Sequence, residues 1–317
     1  MQTELILENY VDPISFDFNN VIIYIKESFL LEFKTIMAKL PVLFLLLILF
    51  GIKNSVGNGN GINKTMSLTL FSAAALLSAG IITGLFSVAA EMISSLSAYI
   101  YVCIPVLCGL VAGGGYVITS AKATFIILSS MNVVTFLINC FFVPLTQIYF
   151  ILGVLSALLE NDILKSLKDN IKSIIKVSLP SIIGIFGALL TIFVSVTKKM
   201  DDFSLKSAKM AVGNMIPFLG GALADSTEVV LNSIGQIKAQ TGIASVIAMI
   251  YIFLLPMLKV VSGLIAFKIL AAAAGFLSDR TMSGYYEDLS GVLSVLAGIM
   301  AAVAVMVIIS VITIMNL

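Results

Sequence analysis

Long stretches without one charged side chain decide what this chain can fold into. Residues 65–90 hold 26 such positions in a row, 92–121 hold 30, and 123–159 hold 37; shorter runs cover 177–197, 239–258 and 289–317. A helix needs about 20 apolar residues to cross a hydrocarbon core of about 30 Å. Charges are scarce overall, with 18 Lys+Arg and 17 Asp+Glu in 317 residues and a mean hydropathy of +1.12. That is 11% charged residues, against roughly 25% in a soluble domain. The reading is an all-α polytopic membrane protein with about seven to nine transmembrane helices.

Composition also excludes functions. A net charge of +1 does not match the basic footprint of a nucleic-acid binder. The absence of His removes His-based triads, His-ligated metals and His pH switches. Cys103, Cys108 and Cys140 lie inside apolar runs without a CxxC pair, so each reads as a small buried hydrophobe. The opening MQTELILENY lacks a basic region followed by an apolar one, so no secretory signal is expected and the first span serves as an uncleaved one.

Division of the chain follows the runs. Residues 1–39 read as an amphipathic interfacial segment, with Phe16, Phe18, Ile22, Ile25, Phe29 and Phe33 alternating with charges. Residues 40–64 hold the first span and a Gly/Asn loop whose glycines lack the strand-to-helix context of a phosphate loop. The run 123–159 would make a helix about 55 Å long, so it is expected to fold back at Pro144. Glu91 reads as the end of a span.

An internal repeat organises the remainder. Ile104-Pro105-Val-Leu-Cys-Gly109-Leu-Val-Ala112 returns as Ile216-Pro217-Phe-Leu-Gly-Gly221-Ala-Leu-Ala224, an offset of 112 residues that also carries Pro144 onto Pro256. The units are 65–172 and 173–288, each with a long helix, an Ile-Pro segment and a Pro-broken hairpin, followed by a C-terminal span over 289–317. Lysines 165, 168, 172 and 176 favour a cytoplasmic 160–172 under the positive-inside rule, which makes the basic stretch 198–209 an exception.

The candidate residues cluster around the Ile-Pro segments. In the second, Gly213, Asn214, Ile216, Pro217, Gly220 and Gly221 interrupt an apolar stretch just before Asp225 and Glu228. One reading is a discontinuous helix lining a pathway; the other is an interfacial helix with ordinary flexible glycines. The first copy supplies Pro105, Gly109 and the triplet Gly113-Gly114-Gly115, either a hinge or tight packing. Lys259 follows Pro256, where it pairs with Asp225 or Glu228 or snorkels to an interface. No enzyme motif, catalytic group, metal-ligand cluster or cofactor is indicated.

At Ser207-Ala-Lys209, Gly213-Asn214-x-Ile216-Pro217-x-x-Gly220, Asp225 and Pro256-x-x-Lys259, the chain resembles the stage III sporulation protein AE family, from about residue 25 to its C-terminus. The resemblance implies a multi-pass protein of the mother-cell membrane around the forespore. It also implies partners: the ATPase and ring-forming stage III sporulation proteins of the same operon, and a forespore-membrane protein. Together these would form a channel or secretion complex needed for forespore development after engulfment. The rival expectation is a stand-alone secondary transporter built from two repeats. Beyond these partners only the lipid bilayer is expected, and no nucleic acid.

Overall fold

The structure, a computed structural model, describes residues 18–55, 62–159, 161–215, 220–277 and 280–316, with the backbone alone for 18–22, 24–25, 54–55, 62–64, 193–215 and 220–234. Among the described residues every element is helical. In chain order these are α1 (Phe18–Met37), α2 (Leu40–Ser55), α3 (Ile62–Gly113), α4 (Val117–Leu137), a π-helical turn (Ile138–Phe142), α5 (Val143–Leu159), α6 (Asp162–Met215), α7 (Gly220–Phe276) and α8 (Arg280–Met315). Five stretches are long and apolar enough to cross a membrane, or six if the pair 26–37 and 40–53, bent by 42°, counts as one span. The apolar side chains that face outward, such as Phe125, Val102 and Ile192 at 65–72% exposure, suit lipid rather than water.

The helices are longer than the charge-free runs imply. α3 has 52 residues, α6 has 54 and α7 has 57, about 80 Å each. Glu91 does not end a helix: it sits exposed in the middle of α3. The chain does not fold back at Pro144 or Pro256 either. Pro256 lies inside α7, and Pro144 is absorbed by the π-helical turn just before it, where Val143 N–H donates to Ile138 O. Widening that turn accommodates a ring that would otherwise strike the carbonyl four residues back. Long neighbours along both sides, α3 and α6 against α4, and α6 and α8 against α5, hold the continuous form.

What ends α3 is the glycine triplet. Gly115 N–H donates to Ala112 O at 2.9 Å and Tyr116 N–H to Val111 O at 3.3 Å, with Gly115 at φ 95°. This is a Schellman cap, in which a left-handed residue lets the last carbonyls find donors. It turns the chain into α4, so the run 92–121 is split by a turn at the triplet. Gly115→Ala is expected to destabilise by about 1 kcal/mol, read as a lowered unfolding temperature in detergent.

Shifted by 112 residues, that turn falls on 226–228, which lies inside α7. The described part of α6 ends at Met215 and that of α7 begins at Gly220.

The centre of the bundle is α8. It packs against α3, α5, α6 and α7, and 67% of its most apolar window is buried, against 17–39% in the other four spans. Gly291, Ala297 and Gly298, with Ala302 and Ala304, let neighbours approach closely. α7 runs antiparallel to it: a Cβ on Gly263 would come within 3.2 Å of Leu293 Cδ1, and Gly242 sits against Met315. α6 runs parallel to it, with Lys168 at Asp288 and Leu179 at Gly298. α1 and α2 lie along α7.

Candidate functional site

Two of the charge clusters seen in the sequence, 160–176 and 279–288, meet in space. α5 and α6 form an antiparallel hairpin, and α8 passes beside its closed end. Lys168 Nζ donates to both Oδ1 and Oδ2 of Asp288 at 2.7 Å. The two side chains are only 7% and 18% exposed. Gly153 of α5 lies against Asp288, where a Cβ would be 3.5 Å from Asp288 Cβ.

One turn deeper, Lys172 Nζ stands 5.8 Å from the ring centroid of Tyr149. Tyr149 is fully buried and its hydroxyl has no hydrogen-bond partner. Gly291 faces both groups. A Cβ there would lie 2.5 Å from Tyr149 Oη and 3.2 Å from Lys172 Nζ. Lys172 is also within electrostatic reach of Asp288. Three helices thus converge on two ammonium groups, one carboxylate and one phenol. Buried charge of this kind holds only when paired and hydrogen-bonded, so the cluster fixes the register of α5, α6 and α8. Sequence reasoning passed over these residues. The available signal was the spacing of Lys165, Lys168, Lys172 and Lys176, which aligns all four on one helical face.

Lys259 occupies a different setting from either expectation. It forms an ion pair with Glu32 of α1, 3.2 Å apart. Asp225 and Glu228 share α7 with Lys259, separated from it by about 50 Å of helix, so they are out of reach. Lys268 is exposed. Ile36, four residues after Glu32, approaches Gly263, four after Lys259, so α1 runs parallel to α7 with the ion pair as one rung.

A third polar set joins α3 to α7 and α4. Tyr99 Oη donates to Ser245 O at 2.8 Å, and Cys103 Sγ to Ser245 Oγ at 3.2 Å. Ser97 and Thr135 hydroxyls are 3.2 Å apart, and Tyr101 donates to Asn132. Cys103 and Cys108 are buried as expected, whereas Cys140, in the π-helical turn, is exposed.

The candidates named from the sequence do not assemble into one site among the described residues. Pro105 and Gly109 lie on the exposed side of α3, and Gly113, Gly114 and Gly115 form its cap. Gly213 and Asn214 fall in the last turn of α6, and Gly220 and Gly221 in the first turn of α7, with Asp225 and Glu228 one and two turns further on. Ile216 and Pro217 lie outside the described residues. Of the Gly-Asn-x-Ile-Pro block, the described residues thus close α6. Among the described residues no three Cys, Asp or Glu gather in a metal-binding group.

A family model described as stage III sporulation protein AE matches residues 2–317. The stage III sporulation protein AE of Bacillus subtilis (strain 168) is 29% identical over 184 residues, a segment covering 58% of this chain and 46% of that protein. The matched segment thus spans less than half of that relative's length. No solved structure matches.

Proposed function

We propose, on the premise that this chain belongs to the stage III sporulation protein AE family and acts in sporulation, that it is a membrane-embedded subunit of a complex linking mother cell and forespore. In this reading it resides in the mother-cell membrane around the forespore and supports development after engulfment. The observation that carries the proposal is the family match along residues 2–317. The bundle supports it: four candidate spans pack around the fifth, α8, with its inward charges used in holding helices together. That is the pattern of an assembly subunit. A transporter would be expected to converge polar groups on a midplane solute site.

Deleting the gene is expected to arrest development after engulfment, and the protein is expected to copurify with the ATPase and ring-forming products of its operon. Normal numbers of heat-resistant spores from the deletion strain would overturn the proposal. Purified protein that moved a solute into liposomes, with loss on Asp225→Asn, would support the transporter instead.

A further inference from the structure

One face of α3 has no counterpart among the described residues. Gly80, Gly84, Ser87, Glu91, Ser94 and Ala98 are all exposed and recur at alternating intervals of four and three, the spacing of a left-handed helix–helix seam. Tyr101 and Pro105, both exposed, extend the same spacing. A Cβ at Gly80 or Gly84 would meet nothing within 4 Å, unlike Gly263, where it would lie 2.6 Å from Leu85 Cδ1. A glycine inside a helix destabilises it by roughly 0.5–1 kcal/mol relative to Ala. At Gly263 close packing accounts for the residue; at Gly80 and Gly84 no neighbour among the described residues does.

Glu91 lies in the middle of this face, and its level is set by the helices packed beside it. Six residues before it, Leu85 meets Gly263, which also faces Leu293 of α8; eight residues after it, Tyr99 meets Ser245. Glu91 is therefore level with the part of α8 just beyond Leu293, inside a stretch without a charge from 289 to 317. Ser87 Oγ donates to Glu91 Oε1 at 3.4 Å. Lys259, at nearly the same depth, is engaged by Glu32. A carboxylate at that depth calls for a cation, and the described residues of this chain supply none to it.

We propose that this face of α3 receives a transmembrane helix of another protein, one that carries a lysine or arginine at the depth of Glu91. A second copy of this chain in the same membrane, docked by the same face, would set Glu91 against Glu91, a repulsive contact. The charge therefore selects a different partner, and the small residues let its backbone come close. The inference rests on the membrane placement of α3 and is independent of the sporulation role.

The test uses the full chain in membranes of sporulating cells, with benzoylphenylalanine at Ser87 and, as a control on another outward face, at the exposed Ile185 of α6. The expected result is an adduct from Ser87, at least tenfold stronger than from Ile185, that maps to an apolar segment containing Lys or Arg in another protein. Glu91→Lys should reduce it at least tenfold, and exchanging the partner's cation for Glu should restore it. Glu91→Lys is expected to leave the unfolding temperature of the purified chain unchanged; if it does not, Glu91→Gln carries the same comparison. Adducts with lipid alone, with a second copy of this chain, or with a segment lacking a cation would each overturn the inference. A cation-bearing partner with no part in sporulation would sustain it while counting against the proposed function.

Discussion

Asp288→Asn is expected to destabilise the bundle by about 3–5 kcal/mol, because it strands a buried ammonium group. Lys168 would keep its charge at 7% side-chain exposure, with Lys172 nearby as a second cation rather than a partner. Lys168→Met should be milder, since Asp288 is more exposed at 18% and retains Lys172 within electrostatic reach. The double variant Lys168→Met with Asp288→Leu removes both charges and should recover most of the loss, as replacement of buried ion pairs by packed apolar groups commonly does. Apparent unfolding temperatures in detergent provide the measurement. The single Asn variant should fall on the order of 10 °C, with the double variant near the parent. If Asp288→Asn unfolds at the parent's temperature, the pair does not hold the helices.

Gly291→Val should be comparably damaging for a steric reason. The added Cβ alone would stand 2.5 Å from Tyr149 Oη, and the fully buried tyrosine has no free direction in which to retreat. Overpacking of this kind typically destabilises by about 1–3 kcal/mol, and here it also pushes Lys172 away from the Tyr149 ring. Pairing it with Tyr149→Phe removes the struck oxygen and should recover part of the loss. The same substitution at Gly84, where nothing lies within 4 Å, should leave the unfolding temperature unchanged. That contrast separates crowding from a general glycine effect.

The class of fold was legible because it depends on counting: charge-free runs of 26 to 37 residues admit few alternatives to membrane helices. Where those helices begin and end was not. The triplet at Gly113, Gly114 and Gly115 carried a capping signal that outweighed Glu91, since a lone carboxylate does not interrupt helical hydrogen bonding. Pro144 was a poor guide because a π-helical turn absorbs its ring, which depends on what packs alongside. The buried cluster was half legible. Its lysines stood out by spacing, but Asp288 lies 120 residues away, and only the packing of α8 brings them together. Lys259 was identified as a residue of interest, yet its partner lies on α1, a segment read as separate from the bundle.

The central position of α8 has a consequence for biogenesis. It follows the other seven helices in the chain, so a ribosome releases it after them, yet four of them rest on it. Until its residues arrive, Asp288 is absent and Lys168 waits without its counter-charge, while the faces of α3, α5, α6 and α7 that will meet it are covered by lipid or an insertion factor. Assembly of these helices therefore waits for synthesis of α8, and they pass through an inserted but unassembled stage before the bundle closes.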